Sequence, residues 1–339
     1  MGQVKRVKTN LTIQIKRLAY AVCIGMFLVV LNGALVTKTE SGLGCGTDWP
    51  LCNGKFVPAY TIESMVEYSH RAVTGVVGLM VLAVFVMVWR HMKEKRDAFM
   101  YASSILFFTI VQAIMGALAV VYTQNAAVMA LHFGFSLLAF ASSFLLAAAM
   151  RRYAGELDES AQLGTKPPSS NASHAFVTET FRYGIWLTLL YTYIVVYLGA
   201  FVRHTESSGG CMGWPLCNGE VIPDLSGGTL IVFMHRVAAL LLFILVAWVA
   251  HIAYHHYKHI PEIRSCGVWS LVLCAGQVLS GALVVFTITD ENLLLFSSLL
   301  HTVFICGQFS LLCHMSIRAW QWRDQRQGIP SDSSKQHVI

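Results

Sequence analysis

The sequence carries little charge. Charged residues make up 12% of its 339 residues, whereas a soluble domain usually carries about 25%. Hydrophobic residues make up 55%, and the mean hydropathy is +0.58. This balance argues against a soluble enzyme and predicts an integral membrane protein. The net charge of +6 is small for so apolar a chain, so it indicates membrane topology rather than a nucleic-acid partner.

Long uncharged segments separate the few charges. A transmembrane helix needs about 20 mostly apolar residues, and eight segments meet this requirement. The first segment is too long for a cleaved signal peptide and lacks a small-residue processing site, so we expect it to remain as a helix. The predicted spans are residues 18–37, 67–89, 101–122, 126–150, 183–202, 229–251, 268–289 and 293–317.

Lys and Arg are scarce in the connections 38–66 and 203–228 and frequent in the connections on the other side. The positive-inside rule therefore places these two loops outside and both termini in the cytoplasm. The chain also lacks an Arg- and Ser-rich transit peptide. We therefore expect a multi-pass protein of a bacterial plasma membrane rather than a mitochondrial protein.

The two halves of the sequence repeat each other. The hexapeptide WPLCNG occurs at 49–54 and again at 214–219, and a His-Arg pair recurs at the same offset. Each half holds an even number of spans, so both halves enter the membrane in the same orientation. We expect an all-α membrane protein of two tandem four-helix bundles related by a pseudo-two-fold axis along the membrane normal. The expected divisions are an N-terminal bundle (1–152), a cytoplasmic linker (153–182), a C-terminal bundle (183–320) and a cytoplasmic tail (321–339).

Four histidines lie within the predicted spans, where an ionisable side chain indicates function. They are His70, His132, His235 and His301, and all lie towards the outer side. Two facing imidazoles in a four-helix bundle can ligate a heme iron from both faces. An interhelical hydrogen bond is the alternative for a single histidine, but two pairs in register favour heme. Zinc would need further ligands at matching depth, and only Glu67 is available.

An arginine follows the first histidine of each pair. The guanidinium of Arg71 or Arg236 could hold a carboxylate in a bidentate manner, and a heme propionate is such a carboxylate. The alternative is an arginine whose charged end extends to the lipid headgroups.

The two outer loops each hold a pair of cysteines, Cys45 with Cys52 and Cys211 with Cys217. Disulfides persist outside the cytoplasm, so we expect one structural bridge in each loop. A redox-active pair that passes electrons inward is the alternative. The spacing lacks the CxxC arrangement of thioredoxin-like motifs, which weakens that alternative.

Together these features resemble the heme A synthase family. The shared features are eight spans in two repeats, paired histidines near the outer surface and a Glu-x-x-His-Arg signature at 67–71. The resemblance covers residues 18–317. It implies an oxidoreductase that converts a methyl group of heme O to the formyl group of heme A by successive hydroxylations, for aa3-type terminal oxidases.

The resemblance also implies a division of labour between the halves. His70 and His132 would ligate the substrate heme, and His235 and His301 would ligate a heme b cofactor that relays electrons. The pair Cys45/Cys52 would serve heme transfer or electron input.

Glu67 matches the acidic position that is catalytic in the family, and the repeat breaks there. Val232 occupies the equivalent position, three residues before His235. At the i, i+3 spacing, Glu67 and His70 share a helix face, so the carboxylate can approach the heme in the first bundle only. The alternative is a capping box in which Ser64 and Glu67 satisfy the start of helix 2.

The implied partners are heme O, the lipid bilayer, a heme O synthase and an electron donor, either a quinol or a thiol. The main alternative function is a diheme cytochrome b that carries electrons from quinol. A quinone-coupled disulfide oxidoreductase would leave the four histidines without a role. A transporter is disfavoured because the spans lack the interrupted hydrophobic segments expected of one.

Overall fold

The computed structural model describes residues 2–56, 59–122, 125–162 and 176–322. Apart from two isolated β-bridges in loops, the regular structure in these ranges is helical. The proline- and serine-containing part of the predicted linker, residues 167–170, lies outside them, as does the predicted tail beyond residue 322. The eight long helices are α1 (Gly2–Lys38), α2 (Ile62–Met92), α3 (Arg96–Val121), α4 (Ala126–Gln162), α5 (Glu179–His204), α6 (Gly227–His256), α7 (Pro261–Phe286) and α8 (Glu291–Gln321).

All eight helices are long and apolar enough to cross a membrane, which confirms the predicted all-helical protein with eight spans. Large apolar side chains cover the surface of the molecule, and Leu79, Leu240 and Leu279 are 70%, 61% and 65% exposed. Hydrocarbon solvates such side chains well, whereas water does not. The chain is therefore a multi-pass membrane protein.

The helices are longer than the predicted spans because the apolar pattern reports only the segment within hydrocarbon. Helix α2 begins at Ile62, five residues before the predicted start. Helix α4 continues to Gln162, so the first ten residues of the predicted linker 153–182 are helical. Helix α5 begins at Glu179, before the predicted end of that linker. A helix satisfies its own backbone and so continues readily into the polar interface.

The helices pack as two rings of four. In the first ring α1 contacts α2 and α4, and α3 also contacts α2 and α4. Helices α5, α6, α7 and α8 repeat this pattern in the second ring. The rings meet where α4 contacts α5 and α8, and where α1 contacts α8. Helix α4 is therefore the most buried of the eight spans.

The α1–α2 and α5–α6 connections share one local structure and lie at the same end of the molecule, here called the disulfide end. Each contains a short 3-10 helix, Ser41–Leu43 or Ser207–Gly210. Each of these is preceded by a glutamate in the left-handed region, with φ of 53° at Glu40 and 54° at Glu206. The sequence repeat therefore extends to the backbone of the loops.

An even number of spans would place both termini on one side of the membrane, and from the distribution of Lys and Arg we expect that side to be the cytoplasm. A reporter fused after Ile339 should be active in the cytoplasm, and one inserted beside Lys55 should be active outside. Protease accessibility in spheroplasts and inverted vesicles measures both. An external C-terminus would contradict the span count.

Candidate functional site

The four histidines lie at similar depths below the disulfide end. His70 is in α2, His132 in α4, His235 in α6 and His301 in α8. At 1.5 Å per residue, they lie roughly 9 to 15 Å from the first residues of their helices. His70 and His132 lie on helices α2 and α4, which face each other across the first ring of helices, and His235 and His301 lie on α6 and α8, which face each other across the second. Each ring of helices thus contains one histidine pair.

Each histidine ring packs against a glycine of the preceding helix. A side chain larger than hydrogen at that glycine would contact the imidazole. The glycines therefore provide the space that the imidazole rings occupy. The sequence already shows these glycines, because they recur in both halves of the repeat. Their contact with the histidines depends on how the helices pack and is not visible in the sequence. The pairs, with the distance from an ideal Cβ on the glycine to the histidine Cε1, are Gly33–His70 at 3.3 Å, Gly116–His132 at 3.8 Å, Gly199–His235 at 2.8 Å and Gly281–His301 at 3.2 Å.

Three of the histidines have a buried nitrogen without a partner. The Nδ1 atoms of His70, His132 and His235 make no hydrogen bond with any residue that the structure describes. Leaving a buried polar atom unsatisfied costs about 1–3 kcal/mol. A metal bound at Nδ1 would offset this cost, whereas a metal bound at Nε2 would leave Nδ1 in need of another partner. The chemistry of the paired imidazoles fits a heme, and each pair would supply two ligands to its iron.

The described residues offer no alternative metal centre, because they contain no group of three or more His, Cys, Asp or Glu side chains arranged to hold an ion. Zinc in a protein site normally takes three or four such ligands. The histidine pairs are therefore better suited to heme than to a bare metal ion.

His301 differs from the other three. Its Nδ1 lies 2.9 Å from Ser280 Oγ, and its Nε2 lies 2.8 Å from Gln277 Nε2. The equivalent glutamine of the first half, Gln112, donates instead to the His132 carbonyl at 2.7 Å. Gln277 would have to turn in the same way for His301 Nε2 to ligate a metal.

Glu67 is buried, with 3% of its surface exposed, and both carboxylate oxygens have partners. Oε2 accepts a hydrogen bond from the Cys45 backbone N–H at 2.7 Å, and Oε1 accepts one from Arg71. Arg71 also donates to the carbonyls of Asp48 at 2.8 Å and Leu51 at 2.6 Å. The carboxylate therefore joins the disulfide loop to the helix that carries His70.

The capping interpretation of Glu67 is wrong. Helix α2 begins at Ile62, and Thr61 is its N-cap, with Oγ1 accepting a hydrogen bond from Ser64 N at 3.3 Å. Glu67 lies more than one turn inside the helix, where the backbone N–H groups are already paired.

Arg236 anchors the second loop without a carboxylate. It donates to the carbonyls of Gly213 at 2.9 Å, Leu216 at 3.2 Å and Cys211 at 2.8 Å. Val232 stands where the first half has Glu67, so the Arg236 Nη2 group turns to Cys211 instead. Both arginines thus bind loop carbonyls, and each fixes a disulfide loop to the helix that follows it.

The cysteines of each outer loop are joined within the loop. Cys45 is bonded to Cys52 with a Cα–Cα distance of 4.3 Å, and Cys211 to Cys217 with a distance of 4.7 Å. All four are buried, with at most 2% of their surface exposed. The Cys45 backbone is also the partner of Glu67, so this bridge is linked to the first histidine pair.

Known proteins with similar sequences are heme-synthesis proteins. A family model described as cytochrome oxidase assembly protein matches residues 16–64, 59–178 and 182–227. A Bacillus licheniformis protein named heme A synthase is 38% identical over 324 residues, which cover 92% of this chain and 98% of that protein. The heme A synthase of Bacillus cereus strain AH187 is 37% identical, covering 89% and 92%. That of Alkalihalophilus pseudofirmus is 36% identical, covering 87% and 93%.

The glycine contacts give a prediction with an internal control. Gly199→Ala would place a Cβ 2.8 Å from His235 Cε1 and displace the ring, whereas Gly116→Ala would leave an ordinary contact of 3.8 Å with His132. Both changes gain the same helix propensity, so that effect cancels. We expect Gly199→Ala to lose about 1–3 kcal/mol of stability relative to Gly116→Ala, together with much of the bound heme. Thermal unfolding and the Soret absorbance measure this, and equal behaviour of the two variants would contradict it.

Proposed function

Because the chain belongs to the heme A synthase family of cytochrome oxidase assembly proteins, we propose that it is a membrane-bound oxidoreductase that makes heme A from heme O. The reaction converts a methyl group of heme O to a formyl group by successive hydroxylations, and the product serves aa3-type terminal oxidases. The observation that favours this reaction over simple electron transfer is the buried carboxylate of Glu67, three residues before His70, where the second half has Val232 before His235. Electron transfer alone would require no such group.

The first half holds the substrate in this proposal, with His70 and His132 as the ligands of heme O. Support comes from the difference between His132, whose Nδ1 has no partner among the described residues, and its counterpart His301, whose Nδ1 lies 2.9 Å from Ser280 Oγ. Rings without fixed partners suit a site that must accept one heme and release another.

The second half holds a heme b cofactor, with His235 and His301 as its ligands. When bound, this group supplies one-electron transfer. Support comes from the Ser280 hydroxyl, which lies 2.9 Å from His301 Nδ1. When one ring nitrogen of a histidine ligates a metal, a hydrogen-bond partner on the other nitrogen fixes the orientation of the ring. Such fixation suits a resident group.

Glu67 carries the chemistry in this proposal. It shares a helix face with His70 and lies in a site from which water is largely excluded. A carboxylate there can accept a proton from the substrate or stabilise positive charge that develops as the ring methyl is oxidised. Arg71 and the Cys45 N–H hold the carboxylate in place.

The propionate-binding role of Arg71 and Arg236 stays a prediction. Each guanidinium is bound to loop carbonyls, so each would have to exchange one of these partners for a propionate. Their contacts support a role in anchoring the disulfide loops.

We further propose that the two rings of helices are related by a pseudo-two-fold axis along the membrane normal. Exchanging each helix of one ring for its counterpart turns the α1–α8 contact into the α5–α4 contact, and both contacts occur. The disulfide end then faces outward, and both termini lie in the cytoplasm of a bacterial cell. The Cys45–Cys52 pair would serve heme transfer or electron input, with a quinol or a thiol as donor and a heme O synthase as the source of substrate.

The function is tested by supplying heme O to the purified, reduced protein and extracting the hemes for mass analysis. A formyl or hydroxymethyl derivative is the expected product. If only unmodified hemes are recovered under turnover conditions, the chain is a diheme electron-transfer protein instead.

The role of Glu67 is tested by Glu67→Gln, which keeps the size of the side chain and an acceptor for the Cys45 N–H. We expect folded, heme-loaded protein with heme A formation reduced at least about 100-fold, as for the loss of a general acid or base. The control is Glu63→Gln, which removes the same charge at an exposed position one turn earlier in α2. Normal product formation by Glu67→Gln would leave Glu67 as a loop anchor only.

A further inference from the structure

The helices α1 and α5 each end in a basic residue at the disulfide end. The segments are VTKTES at 36–41 and VRHTES at 202–207, so Lys38 and His204 occupy equivalent positions of the repeat. Both side chains are partly buried. Neither makes a side-chain hydrogen bond or ion pair with any residue in the described ranges. A partly buried cation without a partner needs an explanation.

Each of these residues lies near a histidine of the opposite half. Helix α1 contacts α8, and Lys38 is close enough to His301 in α8 for their charges to interact. Helix α5 contacts α4, and His204 stands in the same relation to His132 in α4. The contacts between the two rings therefore bring a basic residue of each half to the histidine pair of the other.

The helix period explains this crossing. Gly33 and Lys38 are five residues apart, which is about 140° around a helix. Helix α1 can therefore present Gly33 to His70 in its own half and Lys38 to the other half. Gly199 and His204 have the same separation in α5, and Gly199 packs against His235.

The space between the two helix ends is open and polar. A cavity of about 320 Å³ is lined by Thr37, Glu40, Arg203, His204 and Glu206. Arg203 spans the junction, donating from Nη2 to the Thr37 carbonyl at 2.6 Å. The two glutamates are exposed at its rim, where water screens their charges.

We propose that Lys38 binds a propionate of the heme held by His235 and His301, and that His204 binds a propionate of the heme held by His70 and His132. Each half thus supplies a basic side chain to the site of the other half. This inference rests on the proposed function, which places a heme at each histidine pair. Arg71 and Arg236 are engaged with loop carbonyls and Arg203 with the Thr37 carbonyl, whereas the side chains of Lys38 and His204 have no hydrogen-bond partner among the described residues.

Lys38 suits the site of a resident cofactor, and His204 suits the site of an exchanging substrate. A propionate in a partly desolvated place is stabilised by a charge-assisted hydrogen bond. Lysine keeps its charge at neutral pH and suits a resident cofactor. Histidine is largely neutral at pH 7 and holds an anion less firmly, which suits a substrate and product that must exchange.

The test uses the full chain with His70→Ala and His132→Ala, which leaves only the second histidine pair. Lys38→Gln is compared in this background with Lys38→Arg and with Lys55→Gln, an exposed lysine of the first disulfide loop. The readouts are the rate of heme transfer to apomyoglobin and the midpoint potential of the retained heme. We expect Lys38→Gln to release heme about tenfold faster or more, as for the loss of one hydrogen bond to a charged group, with the other two variants unchanged.

The reciprocal test uses His235→Ala and His301→Ala and compares His204→Gln with His251→Gln, an exposed histidine at the other end of α6. Only His204→Gln should weaken the binding of added heme. Release rates that match the control variants, or an effect of Lys38→Gln confined to the His70/His132 site, would overturn the inference.

Failure of the proposed function gives a different result. If the chain with His70→Ala and His132→Ala retains no heme, the assignment of the resident heme to the second half is wrong. Lys38→Gln and Lys55→Gln are then compared in the otherwise unmodified chain, where equal heme release would still overturn the inference. Unchanged helical circular dichroism and unfolding temperature in Lys38→Gln separate a local effect from a folding defect.

Discussion

A buried imidazole nitrogen without a partner is costly inside a membrane, and the architecture of this protein is arranged around four histidine rings. Helix contacts place the histidines in two pairs, and glycines of the preceding helices leave room for the rings. His70, His132 and His235 keep an unsatisfied Nδ1. No water is available in the hydrocarbon region to satisfy these atoms. Packing alone gives no reason to bury these four rings, and the proposed role as heme ligands does.

The duplication supplies two equivalent sites, and a few substitutions make them different. Ser280 fixes His301, while His132 has no hydrogen-bonded partner at its ring nitrogens among the described residues. At the ends of α1 and α5, a lysine in one half corresponds to a histidine in the other. In the proposed function these differences all act in the same direction, towards one site that retains its heme and one that exchanges it. A duplicated scaffold can specialise in this way without changing its fold.

The sequence predicted the spans, the four histidines and the close cysteine pairs, because hydropathy, intramembrane charge and repetition are visible along the chain. It did not predict the extension of α4 to Gln162, because polar helical turns carry no apolar signal. The glycine contacts were also missed, since they depend on how neighbouring helices pack. For the same reason, the sequence did not predict that Arg71 binds loop carbonyls, because these come together only once the loop has folded.

The comparison of the two halves also bears on Glu67. A buried carboxylate that binds an arginine and a backbone N–H would ordinarily be explained as a structural anchor. The second half shows that the loop does not need it, because Arg236 holds the equivalent loop through three carbonyls, and Val232 replaces the acid. The cost of burying a carboxylate in the first half is therefore not required by the fold. The proposed chemistry on a heme held by the first histidine pair would give that cost a reason.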